Sequence, residues 1–196
     1  MEYRDQTIGQ FVSNIASTNV VPAGGTGAAV VGATGTALCE MACIHTVESE
    51  GFADVAAELA TIEAELERQR TALLDLAERD AATVSALLDA ADDEEEHAAM
   101  KMATGVPLSI AEACGSVIEH AVVVTGMGNP RAVPDAVTGT YLVRGALQAS
   151  LYTVGHNLKD IPHGSFRTDV ERRVSDVEGA AQTAFEGVIA NVEAGS

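Results

Sequence analysis

The 40 consecutive residues from 52 to 91 contain neither proline nor glycine and are built largely from Ala, Leu and Glu. Strong helix formers without a breaker among them predict one long helix. Its apolar positions Val55, Leu59, Ile62 and Leu66, then Leu73 and Leu76, then Leu87, share a seam of alternating four- and three-residue steps with Gln69, Asp80 and Thr83. Such a seam faces other helices. Gln69 and Asp80 are its polar intruders.

The rest of the chain reads the same way. Helices are predicted over residues 7–17, 25–48, 94–104, from Pro107 through "VPLSIAEACGSVIEHAVVVTG", over 134–158 and over 169–194. Proline suits a first turn, so Pro107 is read as a helix start, while "MGNPRAVPD" is read as a loop. No strand is predicted. The expectation is a single all-α domain spanning 1–196, an up-and-down bundle of about six to eight helices. Aromatic residues make up only 4% of the chain, so the core must be Ala, Val, Leu and Gly with closely approaching helices. The long amphipathic helices have surface to bury on a second copy, and a homodimer is expected.

Charge excludes some partners. With 11 basic against 29 acidic residues the net charge is −18, which repels nucleic-acid phosphates and anionic membranes. The acid excess and the two lysines, Lys101 and Lys159, also fit adaptation to high salt, where self-repulsion is screened. Residues 20–39 carry no charge, but Pro22 and five glycines dilute their apolarity, and a membrane span is not expected. The polar start "MEYRDQTIGQF" is unlike a secretory signal, and Cys39, Cys43 and Cys114 read as buried small hydrophobes, so a reduced cytoplasm is expected. No metal set is assembled: the two nearest cysteines lack partners, and "DDEEEH" reads as a solvated face.

The segment "VPAGGTGAAVVGATGTALCEM", residues 21–41, invites comparison with phosphate-binding loops. It fails both tests. A Walker loop needs a lysine after its last glycine, and the first lysine is at 101; the dinucleotide fingerprint needs a small residue where Val30 stands. What remains is a turn at Pro22, Gly24 and Gly25 into a helix whose free N–H groups suit an anion or a polar ring edge. Further along, Gly24, Ala28, Gly32 and Thr36 recur at every fourth position and leave one face bare. Close packing and a flat ligand explain that stripe equally well.

"PAGGTGAAVVGATGTALCEM" resembles the opening motif of the formiminotransferase-cyclodeaminase C-terminal family, whose usual form is Pro-Gly-Gly-Gly-Ser, then small residues, then Ala-Glu-Met. Four further segments resemble family elements in the same order: "LLDLAERDAATVSALLDA" around Asp80, "KMATGVPLSIAE" with Lys101, Pro107 and Glu112, "GNPRAVPDAVTG" with Asn129 and Asp135, and "TVGHNLKDI" with Asn157. Ala23 and Thr26 stand where the family has Gly and Ser, Pro134 replaces a Ser, and Val154 an Asn.

The resemblance implies an enzyme acting on one-carbon tetrahydrofolates without metal or redox cofactor, with a folate as its small-molecule partner. A methenyltetrahydrofolate cyclohydrolase is the first expectation, a formimidoyltetrahydrofolate cyclodeaminase the second, and a non-catalytic folate-binding or assembly protein the third. Asp80 and Lys101 are the expected catalytic pair, and Gly24, Gly25, Thr26, Asn129, Asp135 and Asn157 the expected substrate contacts. A seam carboxylate is costly unless paired or used, so Asp80 is either an acid–base or cation-stabilising group or half of an interhelical salt bridge. Lys101 is a proton donor or a surface lysine, and Lys159 and Arg131 are alternative partners for the substrate's carboxylates. Asp135 either binds the pterin's amino edge or only favours its helix dipole. Asn157 lies about 33 Å further along a continuous helix, so the two share a site only if that helix breaks or a dimer brings opposite ends together.

Overall fold

The computed structural model describes residues 3–195, and among them every regular element is helical. The long helices are α1 (Ile8–Ile15), α2 (Gly24–Val47), α3 (Ala53–Asp89), α4 (Asp93–Met127), α5 (Val133–Asn157) and α6 (Ser165–Gly195), with short 3-10 turns at Tyr3–Asp5 and Leu158–Asp160. The breaker-free stretch is indeed one helix, α3, of 37 residues. Leu59, Leu66 and Leu73 of its seam are fully buried. α2 packs mainly between α3 and α5, and α4 between α3, α5 and α6.

Helix ends follow local chemistry. Thr7 and Gln10 form a capping box on α1. Asp92 accepts from the N–H groups of Glu94 and Glu95 at 3.0 and 2.9 Å, and the acidic residues 93–96 meet the positive end of α4's dipole. Thus the acid run breaks one helix by starting the next.

Two sequence expectations are corrected here. Residues 94–104 and the stretch from Pro107 are one helix, α4, with Pro107 buried inside it. A proline at 107 withholds the N–H that the Ala103 carbonyl would otherwise receive, a fault that ordinarily breaks a helix. In this fold the side-chain amide of Asn157 donates to that carbonyl at 2.7 Å. The second correction concerns the small-residue stripe. Gly24 is exposed with open space around it, and the close backbone-to-backbone approach of this helix lies beside the stripe, at Gly35. A Cβ there would stand 2.5 Å from the Gly139 carbonyl oxygen of α5, and one on Gly139 would overlap the Gly35 carbonyl. Ala28, Gly32 and Thr36 are buried as expected.

α2 and α4 are each long and apolar enough to cross a membrane, but 50% and 56% of their most apolar windows are buried within the bundle. All three cysteines are free and buried, and burial pushes each thiol up to about 12, which removes them as nucleophiles.

Candidate active site

α2 begins without a side-chain cap of its own: Ala23 is the capping residue and offers no acceptor. The acceptor comes from α3. Thr26 donates its hydroxyl to Asp80 Oδ2 at 2.8 Å, and its backbone N–H also bonds that carboxylate. Asp80 therefore takes the place of the missing cap, at the positive end of the α2 dipole. Gly25 makes this possible, because a Cβ on it would overlap the Asp80 carboxylate.

The environment of Asp80 is set by two opposing effects. It is 6% exposed, and burial raises its carboxyl above the ordinary range; the hydroxyl and N–H of Thr26 favour the charged form and pull it partly back. Among the described residues no cation contributes. The interhelical salt bridge that the seam position left open is absent among the described residues.

Two depressions flank this end of the bundle and share Ala82 in their walls. One, of about 420 Å³, is rich in hydrogen-bonding groups, among them Gln6, Asn14, Asn19, Glu78 and Ser85. Tyr3 also lines it, its ring edge-on to Phe11, and its phenol is pushed up by burial and by the negative charges of Glu78 and Asp80. The other, of about 750 Å³, is a cleft between α3, α4 and α6 that contains Arg79, Lys101 and Phe166. Lys101 Nζ lies 6.0 Å from the centroid of the Phe166 ring.

The remaining expected contacts do not converge on Asp80. Asn129 donates its backbone N–H to Thr46 Oγ1 at 2.8 Å and its side-chain amide to Ser49 Oγ at 3.0 Å, and it accepts from the N–H of Arg131. It thus ties the α4–α5 connection to the far end of α2, about 30 Å from Thr26 along the helix. Exposed Asp135 begins α5 at that same far end, and α5 runs unbroken to Asn157. The amide of Asn157 is committed to Ala103. Glu112 is held by Arg173 through two bonds of 2.7 Å, and Glu40 by Arg70 at 2.6 and 3.2 Å.

Residues 7–176 match the family model described as formiminotransferase-cyclodeaminase. The chain belongs to the formiminotransferase-cyclodeaminase family. It is 30% identical to a methenyltetrahydrofolate cyclohydrolase from Methylorubrum extorquens, with 89% of this chain and 88% of that protein aligned. It is 25% identical to the formimidoyltransferase-cyclodeaminase of Sus scrofa over 94% of this chain, which spans 36% of that longer protein. The solved formiminotetrahydrofolate cyclodeaminase of Thermotoga maritima superposes with a TM-score of 0.94 at 25% identity, covering 97% of this chain and 98% of the other.

Within this family member, the sequence does not single out Tyr3, Arg79 and Phe166, which line the two depressions. Arg79 precedes Asp80 but points off the seam, where a charged side chain reads as ordinary solvent face. Tyr3 and Phe166 lie outside the segments that carried the resemblance. A hint was available for Arg79 in the scarcity of cations, 11 in the whole chain.

Proposed function

We propose that this protein is a methenyltetrahydrofolate cyclohydrolase, adding water to the amidinium carbon of 5,10-methenyltetrahydrofolate and releasing 10-formyltetrahydrofolate. The observation that carries the reading is Asp80: a nearly buried carboxylate with no cationic partner among the described residues, held by Thr26 and raised above its ordinary range. A cationic substrate carbon is a fitting partner for such a group.

The chemistry follows from that placement. The Asp80 carboxylate takes a proton from water as the water oxygen bonds to the amidinium carbon, giving a neutral tetrahedral adduct. The C–N5 bond then breaks, Asp80 returns its proton to N5, and the hydroxyl proton leaves to solvent as the formyl C=O forms. One water is consumed and one proton released overall. A raised carboxyl suits both halves, since it is basic enough to accept and acidic enough to give back.

Thr26 and Gly25 position the carboxylate. Lys101, which no ion pair joins to Asp80, acts in this reading as a substrate contact on the cleft wall rather than as the proton donor. Asn129, Asp135 and the exposed Arg131 belong to the opposite end of the bundle and reach a folate only if a second subunit presents them. The proposed assembly is therefore a homodimer, working in the cytoplasm without metal or redox cofactor and without nucleic-acid or membrane partners.

The likeness to the Thermotoga maritima structure supports a second reading, closure of formiminotetrahydrofolate to the methenyl compound with loss of ammonia, which passes through the same type of tetrahedral carbon. Purified protein tested at low and high salt separates the two readings. Faster loss of methenyltetrahydrofolate absorbance than in buffer supports the cyclohydrolase. Ammonia release from formiminotetrahydrofolate without that loss supports the cyclodeaminase. Folate binding with neither reaction leaves only a binding protein.

A further inference from the structure

The cleft between α3, α4 and α6 contains three of the chain's 11 basic residues and none of its 29 acidic ones. In a chain of net charge −18 that local inversion of sign demands a cause. Arg173 has one: its guanidinium is taken up bidentately by Glu112. Arg79 and Lys101 have none. Among the described residues no hydrogen bond or ion pair holds the charged end of either side chain, and Lys101 has only the face of Phe166 nearby.

The rest of the wall is mostly apolar, with Leu76, Val106 and Met102, the last 52% exposed, and the hydroxyls of Thr83 and Ser109 there are turned back to carbonyls of their own helices. Gly105 lies in the same wall, and a Cβ on it would meet nothing within 4 Å. A cavity of about 750 Å³ with an aromatic face, apolar sides and two unpaired cations suits a flat ring that ends in carboxylates. The adjoining depression, across Ala82, offers amides and hydroxyls instead.

We propose that the α3–α4–α6 cleft binds the p-aminobenzoyl-glutamate tail of the folate, with Arg79 and Lys101 receiving its carboxylates and the pterin lying toward the amide-lined depression. This assignment rests on the folate reading above. It makes Arg79 a specificity residue: it separates substrates with a glutamate from those without one, while the chemistry stays at Asp80. Substrate orientation then follows from charge, because the glutamate is repelled by Glu78 on one side of Ala82 and attracted on the other.

The test uses the intact protein and two unreactive probes, 5-formyltetrahydrofolate and 5-formyltetrahydropteroate, which lacks the glutamate. Calorimetry should find the folate bound about tenfold more tightly or better, and Arg79→Gln should bring the two within about twofold. Gly105→Leu, whose side chain grows into the cleft from a helix it can only favour, should weaken the folate about tenfold with helicity retained. For methenyltetrahydrofolate turnover, Arg79→Gln should raise KM about tenfold and leave kcat within about twofold.

Equal affinity for both probes in the wild type, or unchanged folate binding in both variants, overturns the cleft assignment whether or not the enzyme turns over. Glutamate-dependent binding lost in Arg79→Gln, in a protein that consumes neither methenyl nor formimino substrate, upholds the cleft and removes the reaction.

Discussion

Asn157 completes the hydrogen bonding that Pro107 interrupts. The proline cannot donate to the Ala103 carbonyl one turn back, and the Asn157 amide, 54 residues away from Ala103 in sequence, donates to it instead at 2.7 Å. A position that the family resemblance marks as a substrate contact thus secures a helix. Asn157→Ala should cost about 1–3 kcal/mol by leaving a part-buried carbonyl unpaired, while Pro107→Ala restores a backbone donor to it. In chemical denaturation the double variant should therefore lose less than the two single losses added together. Simple additivity would show that the two residues are not coupled.

Asp80→Asn should abolish turnover without unfolding the protein. The direction of the stability change follows from the raised carboxyl. A group whose pKa is higher folded than unfolded favours folding most at low pH, and that contribution is lost as pH rises through the folded value. Above the folded value the wild type therefore carries the cost of an ionised, buried Asp80. Asparagine keeps an acceptor for Thr26 without the charge, so the variant's Tm at pH 7 should equal or exceed that of the wild type. A marked fall in Tm would mean that the carboxylate is structural.

The pH profile of kcat gives an independent check. If Asp80 must be ionised to take the proton from water, activity falls on acidification through its raised pKa. The acid limb should therefore lie above the 3.8 of an unperturbed aspartate, and it should move further up in Thr26→Val, which deletes the hydroxyl favouring the charged form. An acid limb unmoved by Thr26→Val would detach it from Asp80.

Much of this architecture was legible because it is written in local periodicity. The α3 seam has no breaker and repeats its leucines at helical spacing, so its length and buried face follow from sequence, as does the anomaly of a carboxylate at Asp80. What was not legible lies in pairings across the chain. Thr26 stands 54 residues from Asp80, and only the resemblance placed both in one site. The continuity of α4 depends on a donor from α5, so Pro107 read locally as a helix start. Arg79 was missed because a cation off the seam is indistinguishable from solvent face until the sign of its neighbours is known.

The same limit governs the crossing of α2 and α5. Every-fourth spacing singled out Gly32, yet the backbone-to-backbone approach is at Gly35, where a Cβ would meet the Gly139 carbonyl at 2.5 Å. Backbone cannot swing aside as a side-chain tip can. Gly35→Ala should therefore destabilise by about 1–3 kcal/mol despite alanine's better helix propensity. Equal or greater stability in thermal unfolding would show that α2 and α5 have room to part.

Gly24 and Gly25 are adjacent and were expected to act together as a substrate-facing turn, but their surroundings differ. A Cβ on Gly24 meets nothing within 4 Å, whereas one on Gly25 overlaps the Asp80 carboxylate. Gly25→Ala must displace the carboxylate from Thr26, and a displacement of about 1 Å at a reacting group is worth about 100-fold in rate. Its loss should therefore appear in kcat. Gly24→Ala leaves Asp80 in place, so any effect should appear in KM as a contact with bound folate. Measured side by side, equal kcat values for Gly25→Ala and the wild type would remove Asp80 from the chemistry as surely as an active Asp80→Asn.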